Sequence, residues 1–262
     1  MLSFVPTPIG NLDDISKRAL LALQNAEIIF CEDTRVTKKL LNLLNIPLNK
    51  EFISMHSHNE NKILSKLNPQ ILKSKNCVYV SDAGMPGISD PGSKLVKFAQ
   101  KHNIPYTVIP GANAALTAFV ASGFEGDFCF YAFLPHKGKE REEKLKEILN
   151  SGKIAILYES PHRIEKLVKE LKNSAPEREV FLAKELTKMH ESFIKGKAKD
   201  IELTNTKGEW VIVINKDTKK QTLELSYEDI VSLPLPLKEK SKLLAKISDK
   251  SAKEIYKELN EK

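Results

Sequence analysis

The stretch Val80-Ser-Asp-Ala-Gly-Met-Pro-Gly-Ile-Ser-Asp-Pro-Gly92 decides the fold class of this chain of 262 residues. It follows a short β-branched and aromatic run, Cys77-Val-Tyr-Val80, and leads into an amphipathic segment from Ser93 to His102. Glycine lets the backbone approach a ligand closely, and proline stiffens the chain. In parallel α/β sheets, ligands bind at the carboxyl ends of strands, where such loops lie. The stretch therefore predicts a binding loop between a strand and a helix.

The residues around this loop alternate between strand and helix patterns. We predict strands at 2–6, 27–31, 52–56, 77–80 and 106–109, separated by helices at 14–25, 34–44, 59–73 and 93–102. Regular alternation of this kind favours an open, mostly parallel sheet that is covered on both faces. The N-terminal α/β domain is assigned to residues 1–112 and is expected to carry the binding loops.

A second α/β domain is assigned to residues 113–218. Helices at 139–150 and 161–172 separate its first three strands, but the last strands have no helix between them, so a mixed sheet is predicted. The predicted strands are 128–132, 154–158, 180–183, 191–195 and 209–214. A lysine-rich tail, 222–262, contains two amphipathic helices at 237–247 and 251–259. This hairpin either binds in a nucleic-acid groove, as a helix-turn-helix does, or has only a packing role, with its lysines facing solvent.

The composition is typical of a soluble globular protein, with 41% hydrophobic and 29% charged residues. The net charge of +7 suits a polyanionic partner, although most of the cations are lysines. We expect no membrane segment, because the longest apolar runs are far too short to span a bilayer. The first residues show no signal peptide, so a cytoplasmic location is expected. Cys31, Cys77 and Cys129 are interpreted as buried thiols.

Two common nucleotide motifs do not fit. The dinucleotide fingerprint G-x-G-x-x-G does not occur in the sequence. The segment Gly87-Ile-Ser-Asp-Pro-Gly-Ser-Lys94 comes near a P-loop, but its Ser93 and Lys94 are transposed and Pro91 lacks one backbone donor. An NTPase is therefore disfavoured. Four Gly/Pro-rich or polar elements instead follow predicted strands and are expected to converge on one crevice, at residues 6–11, 32–35, 81–92 and 110–113.

Seven ordered motifs carry a resemblance to a known family. They are Thr7-Pro-Ile-Gly-Asn-Leu12, Glu32-Asp-Thr-Arg35, His56-Ser-His-Asn-Glu60, Asp82-Ala-Gly-Met-Pro-Gly-Ile-Ser-Asp-Pro-Gly92, Pro110-Gly111, Tyr158-Glu-Ser-Pro-His-Arg163 and Lys184-Glu-Leu-Thr-Lys188. From Leu2 to about Ile214 the chain resembles the ribosomal RNA small-subunit methyltransferase I family, 2′-O-ribose cytidine methylases of 16S rRNA in the tetrapyrrole-methylase superfamily. The tail resembles the helix-turn-helix appendage of that family.

The resemblance implies a two-domain tetrapyrrole-methylase-like fold, S-adenosylmethionine as methyl donor between two α/β domains, no metal, 16S rRNA or the small ribosomal subunit as partner, and a homodimer. Met85 and Ala112-Asn113 depart from the residues usual in the family, threonine and Pro-Ser. The donor-binding residues it implies are Pro8, Ile9, Gly10, Asp82, Ala83, Gly84, Met85, Gly87, Ile88, Ser89, Gly111, Ala112, Asn113, Ala114, Tyr158 and Glu159.

The catalytic hypothesis concerns polar residues that follow predicted strands. A ribose hydroxyl is a poor nucleophile at neutral pH, so a nearby base should help the displacement. Glu32 is expected to accept or orient the hydroxyl proton and Arg35 to clamp a flanking phosphate, with His58 or Glu60 as alternative bases. One of Asp33 and Thr34 should cap the following helix. Arg163, Lys184 and Lys188 either bind RNA phosphates or form surface ion pairs.

Two other functions remain open from the sequence. One is a methylase of the same fold that acts on a tetrapyrrole or a protein. The net positive charge and the lysine-rich tail argue against it. The other is a non-catalytic RNA- or nucleotide-binding protein, which would not need the acidic Glu32-Asp-Thr-Arg35 motif beside a donor pocket.

Overall fold

The computed structural model describes residues 1–217, 226–248 and 250–260. They form two compact units, residues 1–217 and the described part of residues 218–262. The first unit contains two five-stranded sheets, as predicted for an α/β protein with one parallel and one mixed sheet. The predicted boundary between residues 112 and 113 stays a prediction, and residues 222–225, 249, 261 and 262 of the predicted tail lie outside the described residues.

The first sheet is parallel throughout, in the order β3-β2-β4-β1-β5. Its strands are β1 (Leu2–Phe4), β2 (Ile28–Cys31), β3 (Glu51–Ser54), β4 (Cys77–Val80) and β5 (Tyr106–Val108). Alternate residues of β2 pack on opposite sides: Ile28 and Phe30 in one hydrophobic cluster, and Ile29 and Cys31 in another. Both faces of the sheet are therefore buried, which explains its nearly continuous hydrophobic strands.

Helices α1 (Lys17–Asn25), α2 (Thr34–Leu43), α3 (Glu60–Lys66), α4 (Pro69–Ser74) and α5 (Ser93–Lys101) connect these strands. The prediction of a single helix at 59–73 is wrong, because the helix is interrupted between α3 and α4. Asn68 is extended and its side chain accepts a hydrogen bond from the Gln70 backbone, while Pro69 has no N–H to continue a preceding helix. The predicted helix at 14–25 also begins later, at Lys17, where Ser16 provides the cap.

The second sheet has the order β6-β7-β10-β8-β9. Its strands are β6 (Phe128–Phe133), β7 (Ile154–Glu159), β8 (Glu179–Lys184), β9 (Ser192–Lys197) and β10 (Trp210–Ile214). Strands β6 and β7 are parallel, whereas β10 runs antiparallel to both β7 and β8. The first residue of β10 consequently lies beside the last residues of β7 and β8, with Trp210 opposite Glu159 and Lys184.

The first unit has three further α-helices, α6 (Ala114–Ser122), α7 (Lys139–Asn150) and α8 (Ile164–Ser174), and short 3-10 helices at Leu12–Asp14 and Ala198–Asp200. Asn113 caps α6, because its side chain accepts a hydrogen bond from the Leu116 backbone at 3.0 Å. Gly123, in the left-handed region at φ 64°, ends the helix. Cys31 and Cys77 are buried and Cys129 is half-buried, and burial raises the pKa of the Cys77 thiol to about 11.

The described part of the second unit consists of α9 (Tyr227–Ser232), α10 (Leu237–Leu244) and α11 (Ala252–Asn260) around Ile230, Leu244 and Ile255. A capping box lies at the start of α11, since the Ser251 backbone donates to the Glu254 carboxylate at 2.7 Å and the Glu254 backbone donates to the Ser251 hydroxyl at 3.4 Å. Helix α9 was not predicted. Within the described ranges, no helix combines the length and the apolar character needed to cross a membrane.

Candidate active site

A cavity of about 340 Å³ lies at the carboxyl ends of β4 and β7. The parallel first sheet brings the loops after β1 and β4 to the same edge, and the mixed second sheet adds residues from β7 and from the start of β10. The cavity is lined by Ile9, Ala83, Gly84, Met85, Ile88, Ser89, Asp90, Asn113, Ala114, Phe133, Tyr158, Glu159, Ser160, Pro161, Leu186, Glu209, Trp210 and Val211. Ten of the sixteen residues predicted to bind the donor are in this lining.

The glycine-rich loop is held in place by backbone hydrogen bonds. Thr7 and Gly84 form an antiparallel bridge, with each backbone N–H donating to the other residue's carbonyl at 3.0 Å. Gly84 has φ 79°, a conformation that strains other residues, and a methyl group at this position would lie 3.1 Å from the Ile9 side chain. The close approach of two loops therefore requires glycine at position 84.

Six of the predicted donor-binding residues do not line the cavity: Pro8, Gly10, Asp82, Gly87, Gly111 and Ala112. Two of these glycines, Gly10 and Gly111, pack closely against other residues. A methyl group on Gly10 would lie 2.6 Å from the Thr187 hydroxyl, and one on Gly111 would overlap the ring of Pro6. Gly87 differs from both, because a methyl group there would meet no atom within 4 Å, although its φ is 82°.

A buried ion-pair network supports the second half of the cavity wall. Glu159 is fully buried and binds Arg163 at 2.7 Å and Arg141 at 3.2 Å. Arg141, also buried, binds Glu170 at 2.8 Å and donates to the Pro135 carbonyl at 3.1 Å. A buried charge is tolerated only when it is paired in this way. The network therefore fixes the end of β7, where Tyr158 and Glu159 contribute to the wall.

Glu32 lies where the loops after the neighbouring strands β2 and β4 meet. The Asp82 backbone donates to the Glu32 carboxylate at 3.4 Å, and the Asp33 backbone donates to the Asp82 carboxylate at 3.2 Å. Burial, followed by repulsion from Asp90 and Asp82, raises the pKa of Glu32 from 4.5 to about 7. A carboxyl group with this pKa can accept a proton near neutral pH, as the hypothesis of a base requires.

Arg35 is paired within its own loop. Its guanidinium makes a two-point ion pair with Asp33, with the shortest contact at 2.6 Å, and its side chain remains 89% exposed. Asp33 also caps α2, because its side chain accepts a hydrogen bond from the Arg35 backbone at 2.8 Å. A cap was expected from either Asp33 or Thr34. Hydrogen bonds from the Arg35 guanidinium, followed by the one from its backbone, lower the pKa of Asp33 to about 2.

All four predicted catalytic residues, Glu32, Arg35, His58 and Glu60, lie outside the cavity lining. The two alternative bases differ from Glu32 in their surroundings. His58 is exposed. Glu60 is buried and accepts from the Gly92 backbone at 3.2 Å, and its second oxygen lies 3.6 Å from the Lys94 ammonium. Glu60 therefore anchors the end of the glycine-rich loop, and this geometry favours a structural role over that of a base.

The three cations predicted to bind RNA have partners inside the protein. Arg163 binds Glu159 and donates to the Leu134 carbonyl at 3.2 Å. Lys188 bridges Glu185 at 2.9 Å and Glu209 at 3.0 Å. Lys184 donates to the Asn205 carbonyl at 3.3 Å and lies over the Trp210 ring. The structure thus favours the ion-pair interpretation for Arg163 and Lys188.

Sequence reasoning missed eight lining residues: Asp90, Phe133, Ser160, Pro161, Leu186, Glu209, Trp210 and Val211. Asp90, Ser160, Pro161 and Leu186 belong to motifs already recognised, so the motifs themselves were a usable signal. Trp210 and Val211 come to the wall only because β10 inserts between β7 and β8. Among the residues that the structure describes, no group of three or more His, Cys, Asp or Glu side chains could hold a metal ion.

Comparison with known proteins identifies the family. Residues 1–202 match the family described as Tetrapyrrole (Corrin/Porphyrin) Methylases. A Campylobacter fetus subsp. fetus protein, named ribosomal RNA small subunit methyltransferase I, is 50% identical over 269 residues, covering 99% of each chain. A Helicobacter pylori protein of the same name is 44% identical, covering 98% of this chain and 96% of the relative.

A solved structure supports the fold. The methyltransferase CobJ aligns with a TM-score of 0.61 at 17% identity, covering 82% of this chain and 93% of the CobJ chain. At this identity the likeness concerns the fold alone, and it agrees with the arrangement of a parallel and a mixed sheet. Taken with the matched residues and the two relatives, it shows that the chain belongs to the tetrapyrrole methylase family and, within it, to the ribosomal RNA small subunit methyltransferase I group.

Proposed function

We propose that this protein transfers a methyl group from S-adenosylmethionine to the ribose 2′-hydroxyl of a cytidine in 16S rRNA of the small ribosomal subunit. The observation that carries the proposal is the position of Glu32, a carboxyl with a pKa of about 7 next to the loop that lines the cavity. The family assignment supplies the class of reaction, and the names of the relatives supply the ribosomal RNA.

The lining fits a donor of this kind. S-adenosylmethionine supplies an activated methyl group when it is bound. The cavity offers apolar side chains for a nucleobase, among them Ile9, Met85, Ile88 and Leu186, and polar groups at Ser89 and at the start of α6. Its volume lies within the range of about 300–1,000 Å³ usual for small-molecule sites. We infer that these residues hold the donor without a metal ion.

Glu32 would act on the acceptor. Its carboxylate can accept the proton of a ribose hydroxyl as the new carbon–oxygen bond forms, and general bases of this type contribute about 10²- to 10⁴-fold to the rate. Arg35 lies three residues further on, is exposed and, within the described part of the chain, forms its ion pair with Asp33 of its own loop. A phosphate of the RNA backbone could replace or share that carboxylate, which would place the sugar near Glu32.

The alternative functions are less well supported. A tetrapyrrole or protein methylase of the same fold would not explain why the relatives named as ribosomal RNA methyltransferases match nearly the whole chain. A non-catalytic binding protein would not need a carboxyl with a raised pKa beside the cavity. The cytoplasm, where ribosomal subunits assemble in bacteria, is the proposed location.

A homodimer is part of the proposal. Apolar side chains are exposed together on α6 and β6: Val120 is 78% exposed, Leu116 49% and Phe128 40%. The ring of Phe128 lies 4.5 Å from that of Phe119, which joins the two elements. Exposed apolar surface of this kind is typical of association sites. Substitution of Val120 by aspartate should shift the protein toward the monomer in light-scattering measurements.

A substrate comparison tests the proposed function. The protein is incubated with S-adenosylmethionine labelled in its methyl group and, in parallel, with small ribosomal subunits, naked 16S rRNA or a uroporphyrinogen. We expect label in the RNA, at a nucleotide whose 3′ phosphodiester bond resists alkali because its 2′-hydroxyl is methylated. Label on the base, with an alkali-sensitive bond, would refute the ribose assignment, and label only on the tetrapyrrole would refute the RNA substrate.

A further inference from the structure

Asp90 differs from the other carboxylates of the cavity because no cation neutralises it. Of the three acidic residues in the lining, Glu159 binds Arg141 and Arg163, and Glu209 binds Lys188. Among the described residues, no hydrogen bond or ion pair reaches the Asp90 side chain, and the lining contains no lysine, arginine or histidine. The cavity therefore carries a negative charge at Asp90 that no cation pairs with, and it favours a cationic ligand.

The backbone around Asp90 is held rigidly. Ser89, the preceding residue, has φ 64°, which is unusual for a residue with a side chain. Pro91 restricts the following position, and the Gly92 backbone donates to the buried Glu60 at 3.2 Å. Strain of this kind, held by the surrounding contacts, is common at functional sites. Asp90 thus lines the cavity on a loop whose backbone is fixed on both sides.

We propose that Asp90 makes this cavity selective for the positively charged sulfonium form of the methyl donor over its neutral thioether product. The proposal rests on the proposed function. When the methyl group moves to an acceptor hydroxyl, the sulfur–carbon bond breaks and its electron pair stays on sulfur, while an oxygen–carbon bond forms. The hydroxyl proton passes to Glu32. The positive charge therefore leaves the sulfur, and an attraction to Asp90 is lost with it.

The sulfonium, and not the ammonium of the amino-acid end, is assigned to Asp90 because of Glu32. Asp90 and Tyr158 line the same cavity. The loop after β4 that carries Asp90 also contacts Glu32, because the Asp82 backbone donates to the Glu32 carboxylate at 3.4 Å. Besides burial, the charge of Asp90 contributes to the raised pKa of Glu32. The transferred methyl group has to reach a hydroxyl held at Glu32, so the sulfonium must lie nearer to Glu32 than the amino-acid end does. The lining carboxylate on the loop that contacts Glu32, Asp90, is accordingly the one assigned to the sulfonium.

Binding measurements separate this role from others. Calorimetry at pH 8, where Asp90 with its pKa of about 6 is ionised, compares three probes: S-adenosylmethionine, S-adenosylhomocysteine, and sinefungin, which carries an amine in place of the methylsulfonium. The substitution Asp90→Asn should weaken the binding of S-adenosylmethionine and of sinefungin by about 10- to 100-fold, as expected for a charge-assisted contact. The affinity for S-adenosylhomocysteine should change less than about two-fold, since that probe lacks the charge at sulfur.

The matched control is Asp200→Asn, which removes the same charge from an exposed residue outside the cavity lining. It should leave all three affinities unchanged. An equal loss of affinity for all three probes in the Asp90 variant would mean that Asp90 binds the amino-acid ammonium or supports folding, and it would overturn the proposal. Three unchanged affinities would also overturn it. If the wild-type protein bound none of the probes, the proposed function itself would fail.

Discussion

Replacement of Glu32 by glutamine gives a stringent test of the proposed base. Glutamine preserves the shape of the side chain and the oxygen that accepts from the Asp82 backbone, but it cannot take up a proton. We expect the rate of methyl transfer at saturating donor to fall by about 10²- to 10⁴-fold, with donor affinity unchanged. In the wild-type protein the rate should rise with pH and level off above about pH 7, since only the ionised carboxylate can act as base.

The same substitution should stabilise the folded protein at high pH. A rise of the carboxyl pKa from 4.5 to about 7 corresponds to about 3 kcal/mol of unfavourable ionisation in the folded state. Because Glu32 is only half-buried, solvent screening reduces this to about 1–2 kcal/mol. The folded state holds the proton more tightly than the unfolded state, so wild-type stability falls as the pH rises from about 4.5 through 7. The variant does not suffer this loss.

Thermal unfolding of both proteins between pH 5 and 8.5 measures the effect. The melting temperature of Glu32→Gln should exceed that of the wild type by about 2–8 °C at pH 8.5, and the two should converge toward pH 5. Glu51→Gln, an exposed glutamate on the neighbouring strand β3, serves as control and should change neither rate nor stability. A pH-independent rate, or a Glu32 variant with wild-type turnover, would show that Glu32 is not the base.

Three further predictions follow from the surrounding structure. Gly84→Ala and Gly87→Ala should each lose about 1 kcal/mol of stability from positive φ, but only Gly84→Ala should weaken donor binding in calorimetry, since Gly87 lies outside the lining; equal binding losses would extend the site to Gly87. Arg141→Met leaves the buried Glu159 with Arg163 alone and should cost about 3–5 kcal/mol in urea unfolding, so a loss below about 1 kcal/mol would contradict the role of the network. Removal of the chain after Asp217 should weaken RNA binding and flatten its salt dependence without altering donor affinity, whereas an unchanged salt slope would favour a hairpin that only packs.

Local patterns in the sequence were sufficient for the fold class. The alternation of strands and helices and the loops rich in glycine and proline predicted a parallel first sheet with a binding site at its carboxyl edge, and the seven ordered motifs indicated the family. These features depend on short-range periodicity and on the backbone freedom of single residues such as Gly84, which a sequence shows directly. Helix boundaries were less certain, and the break before Pro69 shows how one residue without an N–H overrides an amphipathic pattern.

Only the tertiary structure decided which charges are neutralised. Arg163 and Lys188 look like candidates for RNA binding in the sequence, but the fold pairs them with Glu159 and Glu209. Asp90 looks like any other loop residue, but among the residues that the structure describes the fold pairs no cation with it. Pairing and burial depend on distances between residues far apart in the chain and on how much water reaches them, and no local pattern contains either quantity. The family could therefore be read from the sequence, whereas the electrostatics of the site required the fold.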